Sequence, residues 1–478
     1  MLQSVLGILK NCVMGEIMTQ DSIKWLEDIK TSKGKIRHLE KEISKLIASE
    51  LSSESGEAIK PKDVRVTFGV EVEFFKVAND QSYFKRLRQI YRADREGKDL
   101  DELYKEKFLP KEARAKNMQK NVPKYFKVPE WLNTRPKLLQ ITKEPLYTHN
   151  IGNHVILEET EEGYFKKTGF EKVAYGQGEL VTPPLRPSNI APYLIQSINT
   201  LVHSAKDFGL KRFNFRTKPQ SDVLTNSTHV NIVIGLRGKD EQGNPTFKNL
   251  FSRDDLNPEA SENKDPTEIS QLGLHISHKL LNFIDEAMLV LAPISNCYDR
   301  FSLQNPVGPN FNGFSPYRET GNYGTCMWRG AGRRCARRET HGTSEEKKDS
   351  GPLRLEARLN SNEALGHPNK KAYPEQAALC YEMIELYMHS IHEGLKSWIE
   401  QKKSNGTELT EQDLHEKKSE LPIDVGEARD TFRESTLVKS IYADRIPRML
   451  ERYRELAKII DLDNSPTAGT RGPQENRR

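Results

Sequence analysis

The sequence predicts an α+β fold in which separated strands, polar on one face, alternate with long helices. Three observations carry this. The run VRVTFGVEVEFFKV at residues 64–77 is rich in β-branched and aromatic residues and alternates with period two. Three later segments (188–209, 269–293 and 374–401) repeat apolar residues at three-and-four steps, as amphipathic helices do. Several strand-like runs carry carboxylate, imidazole and guanidinium side chains where a core-facing strand would be apolar.

Taken in order, residues 1–60 read as a helical N-terminal extension, with Ile23, Leu26, Ile29, Ile36, Leu39, Ile43 and Ile47 at helical spacing among charges. SSESGEAIKPK at 52–62 reads as a linker into the first strand. Residues 84–150 are strongly basic and irregular. EKVAYGQGELVTPP at 171–184 is a strand interrupted by Gly176 and Gly178. The helix at 188–209 takes Ser188 or Asn189 as its cap and stops at Gly209. THVNIVIGL at 228–236 and PLRLEARLN at 352–360 are further strands. This gives a helical extension over 1–60, one catalytic domain over 61–463, and a polar tail, 464–478, expected to be disordered.

Composition narrows the class. Apolar residues make up 36% and charged residues 29% of 478 positions, enough for one large enzyme domain. No apolar run approaches the ~20 residues that cross a bilayer, and the first residues lack the basic region and cleavage site of a signal peptide. Five cysteines without CxxC spacing read as reduced thiols in a cytoplasmic protein. A net charge of +5 is too mild for this length to argue for nucleic acid.

The chemistry-bearing residues follow from strand geometry, because alternate residues share a face. Glu71 and Glu73 project together, as do His229 and Asn231, and Glu356 sits between Arg354 and Arg358 on one face. Glu171 and Glu179 flank the turn AYGQG. Carboxylates with a single imidazole suit Mg²⁺ or Mn²⁺ better than a thiolate-preferring metal. The string RRCARRE reads as a solvated basic loop, an RNA-binding patch or a phosphate-binding loop.

These segments, in order over roughly residues 64–450, resemble the glutamine synthetase family. GVEVEFF is similar to that family's metal-binding strand, and EKVAYGQGE to its paired glutamates around a Gly-Gln turn. TKP followed by STHVNIVIG resembles its KP…HxH segment, and LAPISNCYDRF its NP…NSYKRL motif. WRGAGRRCARR spaces its arginines like the family's phosphate loop, RLEARL resembles RIEVRF, and NEALGHP before a long helix resembles the family's continuation. The resemblance implies an antiparallel curved sheet with a polar, metal-binding inner face, backed by long helices, as in the glutamine synthetase and guanido kinase catalytic domains. It implies one metal at Glu73, Glu171 and Glu179 and a second at Glu71, His229 and Glu356. Arg300 and Arg358, with His229, would bind a glutamate-like substrate. Arg333 and Arg338 would stabilise the transferring phosphoryl group, with Arg338, Arg354 and Asn231 near the nucleotide. The implied reaction is ATP-dependent formation of an acyl phosphate that an amine then displaces.

The departures concern ammonia. The family's β-grasp domain has no counterpart in the residues before Val64, and with it goes the aspartate loop of the ammonium site. Six residues past Arg300, where the family has a glutamate, stands Pro306; the next acid is Glu319. The glycine-rich turn before the histidine reads Leu224-Thr225-Asn226-Ser227-Thr228. The expectation is therefore a carbon–nitrogen ligase with an acceptor other than ammonia. The alternatives are glutamyl or phosphoryl transfer to a large acceptor, for which the basic segment 84–120 would recruit an acidic protein partner, or a catalytically silent protein on the same fold. A homo-oligomer is also expected, because the family shares its site between subunits.

Overall fold

The computed structural model describes residues 20–78, 177–182, 184–204, 210–214, 227–256, 268–294, 298, 326–331, 352–366, 372–416 and 421–464. Glu171, Arg300, Glu319, Arg333, Arg338, the basic segment 84–150 and the tail 465–478 lie outside these residues.

Mixed helix and antiparallel sheet make up the described chain. The strands are β1 (Val64–Ala78), β2 (Gln177–Val181), β3 (Leu210–Asn214), β4 (Thr228–Lys239), β5 (Pro245–Asn249), β6 (Cys326–Arg329) and β7 (Arg354–Asn360). They form one sheet in the order β2-β1-β4-β7-β6, with β3 also pairing β1 and β5 pairing β4; every pairing is antiparallel. The described helices of seven or more residues are α1 (Gln20–Ser55), α2 (Pro187–Ser204), α3 (Gln271–Leu291), α4 (Tyr373–Ser404), α5 (Val425–Glu434), α6 (Thr436–Tyr442) and α7 (Ile446–Asn464). None of the described helices is long and apolar enough to cross a membrane.

The alternation in β1 decides which side is core. Val64, Val66, Phe68, Val70 and Val72 are at most 5% exposed and meet the helical layer, with Val230, Ile232 and Ile234 of β4 beside them. Arg65, Thr67, Gly69, Glu71 and Glu73 take the opposite face by the same period. Tyr387 of α4 ties the two layers: its ring stands edge-on to Phe68 at 6.3 Å, and its hydroxyl donates to Asn360 Oδ1 of β7 at 2.7 Å.

Two expectations about helix ends are corrected. Helix α1 continues to Ser55, four residues into the segment read as linker, because Ser52 and Ser55 back-bond to Ala48 and Leu51 carbonyls instead of starting a turn. Helix α2 begins at Pro187, so Ser188 and Asn189 lie in its first turn, past the cap position. The cap arrives from far along the chain: Glu40 Oε1 of α1 accepts from the Ser188 amide at 3.0 Å. A carboxylate at that end also meets the positive end of the helix dipole.

Helix α1 buries Ile29, Ile36, Leu39, Ile43 and Ile47 against this layer, as its periodicity requires. It also buries charge. Arg452 of α7 donates to Asp28 Oδ2 at 2.7 Å and to Glu382 of α4, while Tyr453 donates to Glu382 Oε2 at 2.7 Å. Arg445 reaches Glu385 at 2.6 Å and Ser32 at 2.7 Å. These buried pairs tie α1, α4 and α7 together.

Candidate active site

Register brings the predicted polar positions together. In the β1–β4 ladder Glu71 faces His229 and Gly69 faces Asn231; in β4–β7 Asn231 faces Glu356; in β1–β2 Glu73 faces Glu179. Paired residues share a face, so strands distant in sequence present one polar surface opposite the helices.

The side chains on it form a connected network. Ser227 links Glu73 to His229: its amide donates to Glu73 Oε2 at 2.9 Å, and its hydroxyl lies 2.7 Å from His229 Nε2. His229 Nδ1 stands 3.5 Å from Glu71 Oε2 and 3.6 Å from Glu356 Oε1. Asn231 donates to Glu71 Oε1 at 3.0 Å and accepts from Arg354 Nε at 2.9 Å. Glu356 is buried and doubly held, by Arg358 on Oε1 at 2.7 Å and by Arg329 Nε on Oε2 at 2.9 Å. Burial alone would raise the Glu356 carboxyl, but Arg329 and Arg358, helped by His229 and Arg354, bring it down to about 2.

Glu71, Glu73, His229, Asn231, Arg354, Glu356 and Arg358 thus converge. Glu179 is placed by register beside Glu73, and Glu171, Arg300, Arg333 and Arg338 lie outside the described residues. Two members of the network were not singled out from sequence. Ser227 stood in the turn read only as a lost glycine loop, and Arg329 stood beside the tryptophan of the phosphate loop. Glu73 and Glu356, which hold Ser227 and Arg329 in place, lie on other strands, where spacing along the chain carries no signal.

The two-metal arrangement expected from the sequence includes Glu171, which lies outside the described residues. Among the described residues, no group of three or more His, Cys, Asp or Glu side chains is arranged to hold a metal ion. At Glu356, guanidinium groups supply the counter-charge, and both of its oxygens are engaged by them. The donor chemistry nevertheless fits a hard divalent cation, since carboxylate oxygens from β1 meet one imidazole from β4.

No protein-family model matches the chain, and no curated protein matches it. Among solved structures, a novel glutamine synthase homolog aligns over 89% of this chain and 72% of its own, at 13% identity and a TM-score of 0.42. A GmaS/ADP complex aligns over 89% of this chain and 75% of its own, at 14% identity and a TM-score of 0.41.

Proposed function

We propose that the chain is a divergent, glutamine-synthetase-like carboxylate–amine ligase that uses ATP and Mg²⁺ or Mn²⁺. The observation that carries this reading is the connected network from Glu73 through Ser227, His229 and Glu71 to Glu356, built on the strands whose motifs resemble that family. Glu71, Glu73, His229 and Glu356, with Glu171 and Glu179, would hold the divalent ions, whose charge neutralises the transferring phosphoryl oxygens when bound. A carboxylate is a poor acyl donor, so a phosphoryl group must first convert its oxygen into a leaving group. Arg358, already aimed along this face, would bind the substrate carboxylate with Arg300. Arg354, hydrogen-bonded to Asn231, would sit at the nucleotide phosphates, and Arg333 and Arg338 would receive the developing phosphoryl charge. The acceptor in this reading is an organic amine positioned by its own contacts, because the acids that deprotonate ammonium are missing near Arg300.

A specific observation favours a second reading, a catalytically silent member of the fold: both oxygens of Glu356, assigned to a divalent ion in the ligase reading, are engaged by Arg329 and Arg358. ADP release with glutamate and a panel of amines, with and without Mg²⁺ or Mn²⁺, separates the two. The ligase reading expects metal-dependent turnover that falls about a hundredfold or more in Glu73→Gln, the scale of a lost transition-state contact. It also expects a larger amine to outperform ammonium. Absence of both turnover and metal-dependent nucleotide binding would leave the silent reading.

A further inference from the structure

About 20 Å along β1 from Glu71, at six residues' distance, the strand enters a different environment. Residues 64–67 pair with β4 on one side only, and β2 joins β1 farther on, at Glu71. Against this edge α1, the segment 61–62 and the start of α2 enclose a cleft of about 520 Å³. That is within the range of roughly 300–1,000 Å³ typical of small-molecule sites. Its walls carry six cations, Arg37, Lys41, Lys45, Lys62, Arg65 and Arg186, and a single carboxylate, Glu40.

Such a concentration of like charge opposes folding unless something offsets it. Among the described residues the internal offset is small. Lys45 is paired outward with Glu42 at 2.9 Å, and Glu40 is spent on the Ser188 amide at 3.0 Å. No carboxylate among the described residues forms an ion pair with Arg37, Lys41, Lys62, Arg65 or Arg186. Burial, then Arg186 and Arg237, lower the Arg65 pKa, and only Asp63 opposes them. Glu40 places an anionic oxygen at the first turn of α2, on the wall of the same cleft.

We propose that this cleft is a binding site for a small oligophosphate anion, one carrying two or more phosphate groups, distinct from the network of Glu71, His229 and Glu356. The guanidinium groups of Arg37, Arg65 and Arg186 supply forked donors to phosphate oxygens, and Lys41 and Lys62 add point charges. A volume of about 520 Å³ suits a compact polyanion.

The test uses the whole protein in EDTA, so that metal-dependent nucleotide binding at the carboxylate face does not contribute. Inorganic tripolyphosphate is titrated calorimetrically, with inorganic phosphate and a 12-nucleotide single strand as the other arms. One tripolyphosphate per chain is expected, with inorganic phosphate at least about tenfold weaker and affinity falling as salt rises. Arg37, Lys41 and Arg186 are exposed, so they can be replaced without touching the core. R37A/R186A, and independently K41Q, should weaken binding, the double variant by about tenfold or more. E40Q should tighten it, and R354Q, two strands away on β7, should leave it unchanged. Binding that survives R37A/R186A, that disappears in R354Q, or that is tighter for the oligonucleotide than for tripolyphosphate overturns the proposal.

Discussion

Glu356 lies between two guanidinium groups with almost no solvent, so its ionised state depends on the partners that share its burial. Arg329 is the more exposed of the two arginines, yet its Nε is the group on Glu356 Oε2, and Arg358 holds only Oε1. Arg329→Gln therefore leaves one oxygen of a buried carboxylate without its charged partner. The expected destabilisation is about 2–3 kcal/mol, toward the lower end for a broken buried pair because Arg358 remains. A urea titration at neutral pH reads this directly; a midpoint equal to that of the unaltered protein would show that solvent replaces Arg329 at no cost. Glu71, Glu73, His229 and Glu356 were legible at this scale because period two fixes a face from sequence alone. Ser227 and Arg329 were not, since each owes its place to a residue far away in the chain: Ser227 to Glu73 and Arg329 to Glu356.

Helices α3 and α4 pack against each other, and the contact turns on Gly394. A Cβ built there would come within 2.6 Å of the Ile276 Cα and 3.0 Å of its amide nitrogen, which are backbone atoms of α3 and cannot swing aside. Gly394→Ala gains helix propensity of about 1 kcal/mol. It must then push the helices apart, an overpacking cost of about 1–3 kcal/mol or more. The expected result is net destabilisation, seen as a lower thermal midpoint, whereas a raised midpoint would show that the helices separate freely. Element recognition from sequence followed the same physics. Strands β1, β4 and β7 announced themselves through alternation or through charges at even spacing, and α3 and α4 through long apolar periodicity. Strands β3, β5 and β6 have 5, 5 and 4 residues, too few to show a period, and exist because a neighbouring strand offers an edge. The start of α2 was misplaced for a related reason: its cap is a glutamate 148 positions away.

At the scale of the whole molecule, the helical layer is where acid should act. His275 of α3 sits against α4 with its Nδ1 3.0 Å from Ser397 Oγ, and its Nε2 is buried without a partner. His389 of α4 likewise buries an unpartnered Nε2. Burial pushes both to about 4; His278 and Lys279 add to this at His275, and Lys35 and His392 do so at His389 against Glu385 and Glu393. A histidine whose folded pKa lies below its unfolded value of about 6.5 contributes stability that is complete above that value. The contribution is lost as pH falls toward 4, because the unfolded chain takes up the proton first. Glu375 runs the other way: burial raises it to about 7, so between roughly pH 4.5 and 7 it gains stability as pH falls. The two histidines thus act against one carboxyl on the same pair of helices, and a single midpoint against pH would blend them. His389→Leu isolates one part. Relative to the unaltered protein, the variant should become more stable by about 2 kcal/mol on going from pH 7 to pH 4.5, whatever its offset at pH 7. Denaturant titrations of both proteins at these two pH values give that difference. A value near zero would mean that His389 is protonated in the folded protein as readily as in the unfolded one, and that acid reaches the fold by another route.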